Sequence, residues 1–152
     1  MWPEPLSADA RQLDEHTVDV VALDGRGAEV ARVRCAYNAR AGCGALGEMR
    51  VVDERGAPAQ RLRALVLMVR EALRFGAGRG IRQVWTEAPG RMAPLARRIS
   101  GLAGAERGGR LRFDGELHAV RTHALRSSDA HGRLVVDEGG EEGTDGAVDL
   151  LR

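Results

Sequence analysis

The spacing of apolar residues is helical in one long stretch near the middle of the chain. From Ala59 to Phe75, apolar side chains recur three and four positions apart, and charged residues fill most of the other positions. This spacing places the apolar side chains on one helix face, and Gly76, Gly78 and Gly80 favour a helix end. We therefore predict an amphipathic helix, followed by a strand over Ile81 to Glu87.

Strand patterns precede this helix. Thr17 to Leu23 is rich in β-branched residues, Ala28 to Tyr37 alternates between apolar and polar positions, and Ala45 to Asp53 also alternates. Short connections join the three segments, so we predict an antiparallel meander. A strand, helix and strand of this length normally place their two strands parallel through a right-handed crossover.

The remaining patterns are shorter. We expect helices over Ser7 to Glu15 and Met92 to Ile99, and a glycine-rich connection over Gly101 to Gly109. Leu111 to Ala124 is predicted as one long strand or as half of a hairpin, and Leu134 to Val136 as a final short strand.

Composition restricts the class of protein. With 152 residues, 43% of them hydrophobic and 30% charged, the chain suits one globular domain with a single core. All 23 basic residues are arginines, a bias that we attribute to the GC-rich genome of a bacterium or of its virus. The predicted helix carries arginines that form either a phosphate-binding patch or a solvated face: Arg61, Arg63, Arg70 and Arg74. A net charge of +1 and only 3% aromatic residues argue against nucleic-acid binding.

Charge divides the chain unevenly. The last residues contain many acids and a single arginine, whereas the rest of the chain is basic. We predict an amino-terminal arm over 1–16, a domain over 17–136 and an acidic tail over 137–152. Near the start of the arm, Trp2 lies beside Pro3 and Pro5. We expect its large side chain to anchor the arm, either to a partner or to the domain's own surface. The arm and the tail are the segments that we expect to contact other protein chains.

Cysteines and histidines give no metal pattern. Cys35 and Cys43 lack the spacing of a zinc site, and we expect reduced thiols, although a disulfide between them is conceivable. His118 and His123 would lie on opposite faces of the predicted last strand, so we expect no metal. No stretch is long and apolar enough to cross a membrane or to act as a signal peptide. We expect a cytoplasmic protein, or a virion component if the gene belongs to a phage.

The order of these elements, together with the segment from Arg55 to Gln60, resembles the Gcn5-related N-acetyltransferase family. The likeness covers about residues 17–124, and it implies a mixed, mainly antiparallel sheet flanked by helices. In that family the loop before the long helix reads Arg or Gln, two residues, Gly, one residue, then Gly or Ala, and its backbone N–H groups hold the pyrophosphate of acetyl-CoA. The resemblance therefore implies the following cofactor-binding positions: Arg55, Gly56, Ala57, Ala59, Gln60 and Arg61.

This sequence also departs from the family pattern. Pro58 stands where a glycine is expected, and proline has no N–H to offer a phosphate. Arg97 stands where the family has the tyrosine that protonates the departing thiolate, and arginine does not release a proton near neutral pH. The amino-terminal segment is too short for the two helices that usually precede the meander, so we expect an open acceptor side. These departures favour weakened or absent coenzyme A binding.

Two carboxylates are candidate catalytic bases. Glu48, on the third strand of the meander, is the better candidate to remove a proton from an amine, and Glu87 ends the crossover strand. Either residue could equally be part of a surface ion pair.

Two functional hypotheses follow from the sequence. The first is a non-catalytic structural or interaction protein that needs no cofactor, for example in a bacteriophage-like particle. The second is an N-acetyltransferase that uses acetyl-CoA and an amine. A third reading, an unrelated small mixed-sheet domain, remains open.

Overall fold

The computed structural model describes residues 1–135, which form one sheet and several helices. The strands are β1 (Ser7–Gln12), β2 (Thr17–Leu23), β3 (Glu29–Asn38), β4 (Cys43–Val51), β5 (Gln83–Pro89), β6 (Ala105–Arg107) and β7 (Arg110–Glu116). The helices are α1 (Pro58–Gly78), α2 (Ala93–Ser100) and α3 (Leu117–Ser127), and a 3₁₀ turn at Gly90–Met92 leads into α2. The predicted tail over 137–152 lies outside the described residues.

The strands form a sheet in the order β1-β2-β3-β4-β5-β7-β6. Neighbouring strands are antiparallel except β4 and β5, which are parallel and are connected through α1. The predicted meander, crossover helix and mixed, mainly antiparallel fold class are therefore confirmed. The long predicted helix over 59–75 corresponds to α1, which extends a few residues further at its carboxyl end.

The helices of the described part pack on one face of the sheet. A single core joins apolar residues of α1, α2 and α3 to alternate strand residues, among them Val18, Val20, Val33 and Cys35. The strand residues between these point to the opposite face, because successive side chains of a strand alternate. Within residues 1–135 no helix covers that opposite face, since only residues 13–16 connect β1 to β2. We call it the open face.

The helix predicted over residues 7–15 was wrong. Residues 7–12 form β1, in which Ala8 and Ala10 pack toward the core while Ser7, Asp9 and Arg11 point outward. β1 pairs with β2 along its whole length, from Ser7 with Leu23 to Gln12 with Val18. The backbone groups along the edge of β2 would otherwise lack hydrogen-bond partners. Pairing with this edge outweighs the weak local preference of residues 7–12 for a helix.

The long strand predicted over residues 111–124 was also wrong. β7 ends at Glu116 and α3 begins at Leu117, so His118 and His123 lie on a helix and not on a strand. Leu117, Val120 and Ala124 have helical spacing and bury their side chains in the core. Leu134 pairs with Ser128 only as an isolated bridge, and Val136 lies outside the described residues.

The amino-terminal segment braces the loop between β4 and α1. The Trp2 side chain is 2% exposed, and the Trp2 main-chain N–H donates to Gln60 Oε1 at 2.9 Å. Gln60 Nε2 donates back to the Trp2 carbonyl at 2.9 Å, and the indole Nε1 donates to the Asp53 carbonyl at 3.1 Å. A Cβ atom built on Gly56 would lie 2.3 Å from the indole, so only glycine fits there. Of the two roles expected for Trp2, an anchor for a partner or for the domain's own surface, the structure shows the second.

Charged pairs link the strands on the open face. Asp19 on β2 is 5% exposed, and its carboxylate accepts hydrogen bonds from Arg34 Nε at 2.8 Å and Nη2 at 3.1 Å. Arg32 approaches the same carboxylate at 3.7 Å and also bonds Glu29. The hydrogen bond from Arg34 is the largest cause that lowers the pKa of Asp19, because it stabilises the ionised form.

Removing the contact between Trp2 and Gly56 tests how the segment braces the loop. Trp2→Ala should lower the free energy of unfolding by about 3–5 kcal/mol, since it leaves a cavity in the core. Gly56→Ala should cost about 1–3 kcal/mol in the natural chain and much less in the Trp2→Ala background, where the ring is gone. Urea unfolding of the natural chain, the two single variants and the double variant measures the coupling between Trp2 and Gly56. Gly78→Ala, whose added Cβ meets nothing within 4 Å, is the matched control. Equal costs of Gly56→Ala in the two backgrounds would contradict the contact.

The Asp19 pair predicts a pH-dependent stability. Asp19→Asn should lower the free energy of unfolding at neutral pH by about 1–2 kcal/mol, because Arg34 loses a charged acceptor. The pKa of Asp19 is lower in the folded than in the unfolded chain, so its stabilisation is present above the ordinary value of 3.8 and is lost as pH falls below it. The difference between the variant and the natural chain should therefore close in acid. Asp9→Asn, which removes an exposed pair with Arg11 at 3.6 Å, should change little at any pH.

Candidate functional site

The parallel strands β4 and β5 separate halfway along their length. Their pairing runs from Cys43 with Gln83 to Leu46 with Thr86 and then stops, although β4 continues to Val51 and β5 to Pro89. At the last pair, Thr86 Oγ1 donates a hydrogen bond to the Leu46 carbonyl at 2.8 Å. The sheet therefore contains a wedge-shaped gap, which opens toward the start of α1.

A bulge in β4 lies at the start of this gap. Val33 pairs with Met49 and Cys35 with Leu46, so two β4 residues, Gly47 and Glu48, stand opposite Arg34 alone. A Cβ atom on Gly47 would lie 2.5 Å from the Arg34 carbonyl, which explains a glycine inside the strand. The bulge turns the end of β4 away from β5 and places Glu48 beside the gap.

A cavity of about 460 Å³ follows the gap through the sheet. On the helix side it is lined by apolar residues of α1, α2, β4 and β5, and it reaches the open face at Ala45, Trp85 and the two candidate carboxylates. A cavity of this size is in the range of small-molecule sites. It connects an apolar interior to a charged surface through a gap in the sheet.

Glu48 and Glu87, which are far apart in sequence, meet at one arginine on the open face. Arg110 Nη2 donates to Glu48 Oε1 at 2.7 Å, and Arg110 Nε lies 3.9 Å from Glu87 Oε2. The Glu48 side chain remains 71% exposed, so its carboxylate is accessible from solvent. Next to it the Arg112 guanidinium stacks on the Trp85 ring, 4.2 Å from the ring centroid. A shallow depression of about 270 Å³ is lined by Glu48, Glu87, Arg110 and Trp85, among others.

The loop between β4 and α1 holds the other predicted positions. Arg55, Gly56 and Ala57 form the loop itself, with Ala57 as the residue that precedes α1, and Ala59, Gln60 and Arg61 belong to the first turn of α1. Pro58 is the first helical residue, a position at which proline is favoured because the N–H there has no intrahelical partner. The predicted positions thus form one cluster at the start of α1, at the wide end of the gap.

Some N–H groups of this cluster are already used. The Arg55 N–H donates to Asp53 Oδ1 at 3.0 Å, and the Ala57 N–H donates to Gln60 Oε1 at 3.1 Å. The Arg55 side chain also bonds Asp53, and this contact holds the pKa of Asp53 well below its usual range. The N–H groups of Ala59 and Gln60 make no hydrogen bond within residues 1–135. These two donors, with the side chains of Arg55 and Arg61 near them, are what the cluster can offer an anion.

Arg61 shapes this loop from α1. Its Nε donates to the Gly56 carbonyl at 3.1 Å and its Nη2 to the Glu54 carbonyl at 2.6 Å. Both bonds turn loop carbonyls toward a guanidinium and fix the loop conformation. Arg61 therefore has a structural role in the loop as well as its charge.

The chain places no tyrosine at the mouth of the gap. Arg97, at the expected tyrosine position, is exposed on α2 and donates to the Ala103 carbonyl at 2.8 Å. The single tyrosine of the sequence, Tyr37, lies at the inner end of the cavity, where its hydroxyl accepts a hydrogen bond from Gln12 Nε2 at 2.6 Å. A proton donor for a leaving group must therefore come from elsewhere.

The cysteines and histidines do not form a second site. Cys35 is buried and Cys43 exposed, both are free thiols, and burial raises the pKa of Cys35 to about 12. Among the described residues no group of His, Cys, Asp or Glu could hold a metal ion. Within the same residues no helix has both the length and the apolar character needed to cross a membrane.

Sequence reasoning identified Glu48 and Glu87 but missed Arg110 and the role of Gly47. Arg110 lies 62 residues from Glu48, and no local pattern connects them. Gly47 did carry a signal, because an isolated glycine in a strand pattern indicates a bulge.

Comparison with known proteins gives structural matches only. No protein-family model matches the chain, and no curated protein matches its sequence. Among solved structures, Tetrahymena GCN5 matches at a TM-score of 0.52 and 10% identity, over 70% of this chain and 71% of that one. The spermidine/spermine N-acetyltransferase SpeG from Vibrio cholerae, in mutant form, matches at a TM-score of 0.52 and 11% identity, over 76% and 74%. BjaI, a CoA-dependent acyl-homoserine lactone synthase, matches at a TM-score of 0.47 and 17% identity, and the chain spans 65% of its length.

The predicted resemblance to this acetyltransferase family is confirmed at the level of the fold. The chain has the fold of the Gcn5-related N-acetyltransferases.

Proposed function

We propose that the protein is an N-acyltransferase that transfers an acyl group from a coenzyme A thioester to an amine. The observation that carries this proposal is the gap between β4 and β5, whose cavity reaches a pair of carboxylates on the open face, while the unpaired end of β4 continues into the loop before α1. A thioester can enter from the helix side while an amine approaches from the open face. Solved structures of the same fold include acetyltransferases, among them a spermidine/spermine N-acetyltransferase, which supports this reading.

The residues at the gap supply the proton chemistry. An amine nitrogen attacks the thioester carbonyl carbon, so that a C–N bond forms as the C–S bond breaks. The Glu48 carboxylate takes the proton that the nitrogen must lose, and Arg110 holds Glu48 in place at 2.7 Å. The departing thiolate then takes a proton from solvent or from the protonated Glu48. Glu87, at 3.9 Å from Arg110, adds negative charge that attracts a cationic amine.

The start of α1 is the proposed site for the pyrophosphate. The free N–H groups of Ala59 and Gln60 and the positive end of the helix favour an anion. Arg55 and Arg61 are near, although both are already bonded to groups of the loop. Pro58 removes one donor from this cluster, so we expect binding that is weaker than a full set of N–H groups would give.

A second candidate function is a non-catalytic interaction protein. It is favoured by the use of the Arg55 and Ala57 N–H groups inside the loop and by an arginine at the expected tyrosine position. In that case the acidic tail would bind other chains, in the cytoplasm or in a virion, and no cofactor would be needed. The amino-terminal arm is less suited to this role, because Trp2 and β1 hold it on its own domain. Calorimetric titration with acetyl-CoA and with longer acyl-CoA thioesters separates the two functions: micromolar binding of any of them supports the transferase, and absent or millimolar binding of all of them supports the scaffold.

Glu48→Gln tests the catalytic base. We expect kcat for acyl transfer to fall about 10²–10⁴-fold, because the amide cannot accept the proton, with little change in thioester binding. The assay follows thiol release from acetyl-CoA with a panel of primary amines that includes spermidine. Glu106→Gln, which changes an exposed residue of β6, is the matched control. An unchanged kcat in Glu48→Gln would remove Glu48 from the mechanism.

Pro58→Gly tests the placement of the pyrophosphate. The variant restores one N–H at the start of α1, so coenzyme A should bind roughly tenfold more tightly, as expected for one hydrogen bond to a charged group. Ala57→Gly adds the same flexibility without adding a donor and should not tighten binding. Calorimetry with coenzyme A measures all three proteins. Equal affinities for the natural chain and Pro58→Gly would mean that the pyrophosphate lies elsewhere.

A further inference from the structure

The cavity extends further into the protein than the gap between the strands. Pairing of β4 with β5 ends at Leu46 and Thr86, but the cavity continues past this pair to Gly44 and Val84. Because α1 runs back from the end of β4 to the start of β5, the carboxyl half of α1 covers this inner part through Ala72 and Phe75. The inner part lies beneath strands that are still paired.

The inner part is lined by apolar side chains that the core does not fully bury. The α1 residues that face β1 to β3 and α3 are buried. The apolar α1 residues that line the cavity are only partly buried: Leu65, Val69, Ala72 and Phe75. Leu46 and Val84 on the sheet are also only partly buried. The lining thus suits an apolar occupant.

The inner end of the cavity is closed by aromatic side chains. The rings of Tyr37 and Phe75 meet edge to face with centroids 5.5 Å apart, and the Arg79 guanidinium lies 4.8 Å from the Phe75 centroid. Gln12 bonds both the Tyr37 hydroxyl and Arg79 Nη2 at the surface. An occupant therefore enters from the gap and ends against these rings.

The parts of the site follow one another in a line. From the start of α1 the order is the β4–α1 loop, the unpaired end of β4, the bulge with Glu48, and then the inner cavity. A thioester with its pyrophosphate at the loop and its carbonyl at the bulge directs its acyl chain into the inner cavity. An acetyl group would end at the bulge and leave the inner part empty.

We infer that the acyl group transferred by this protein is an unbranched chain of medium length, such as hexanoyl to decanoyl, which lies in the inner cavity between α1 and the paired halves of β4 and β5. This inference rests on the proposed function and names its donor substrate class. The apolar lining favours a hydrocarbon chain, and the closed end at Tyr37 and Phe75 limits its length.

Calorimetry with a series of thioesters tests the inference. Coenzyme A, acetyl-CoA, hexanoyl-CoA, octanoyl-CoA and decanoyl-CoA are titrated into the full chain, and affinity should rise about fourfold for each methylene buried. Ala72→Phe fills the inner cavity and should reduce octanoyl-CoA binding to the level of acetyl-CoA. Ala77→Phe places the same ring on an exposed position of α1 and should leave the series unchanged.

The outcomes separate this inference from the proposed function. Acetyl-CoA that binds as tightly as octanoyl-CoA, or a chain-length effect that Ala72→Phe leaves intact, would overturn the inference and leave the transferase standing. Failure of every thioester to bind would overturn both. If Ala72→Phe does not fold, Phe75→Ala gives the opposite test, since opening the closed end should shift the best chain toward decanoyl or longer. An unshifted preference in Phe75→Ala would contradict the position of the chain end.

Discussion

The separation of β4 from β5 is the constraint on which the candidate site depends. Parallel strands joined by a helix usually pair along their common length, and here the ladder stops at Leu46 and Thr86. Each strand is still fixed on its other side, β4 by β3 and β5 by β7, which pairs with it from Gln83 to Pro89. The Gly47 and Glu48 bulge and the Thr86 hydroxyl end the ladder at one point. The gap is therefore part of the paired sheet and not a frayed edge.

This arrangement joins two different environments. On the helix side the gap continues into an apolar cavity, and on the other side it reaches an ion-paired cluster of Glu48, Glu87 and Arg110. The short connection from β1 to β2 leaves the open face without a helix in the described part of the chain, which leaves room there for the amine of the proposed function. The amino-terminal segment instead supports the opposite end of the site, where Trp2 and Gln60 hold the loop before α1.

The sequence predicted much of the fold because its strongest signals were local. The helical spacing of α1 and the alternation of β2 to β4 depend on residues close in the chain, and both were confirmed. The predictions for β1 and α3 were wrong because these elements depend on distant partners: β1 forms by pairing with β2, and α3 by packing Leu117 and Val120 in the core. Part of the candidate site could be predicted from the sequence. Glu48 and the loop could be located by pattern, whereas Arg110 and the cavity arise only when β7 and α1 are in place.

A crystal structure of the chain with octanoyl-CoA tests the central claim most directly. We expect electron density for the thioester carbonyl beside the bulge at Gly47 and Glu48, with the acyl chain running beneath Leu46 and Val84 toward Tyr37 and Phe75. Density for the ligand outside the gap, or a structure in which β4 and β5 pair to their ends and close the cavity, would contradict it.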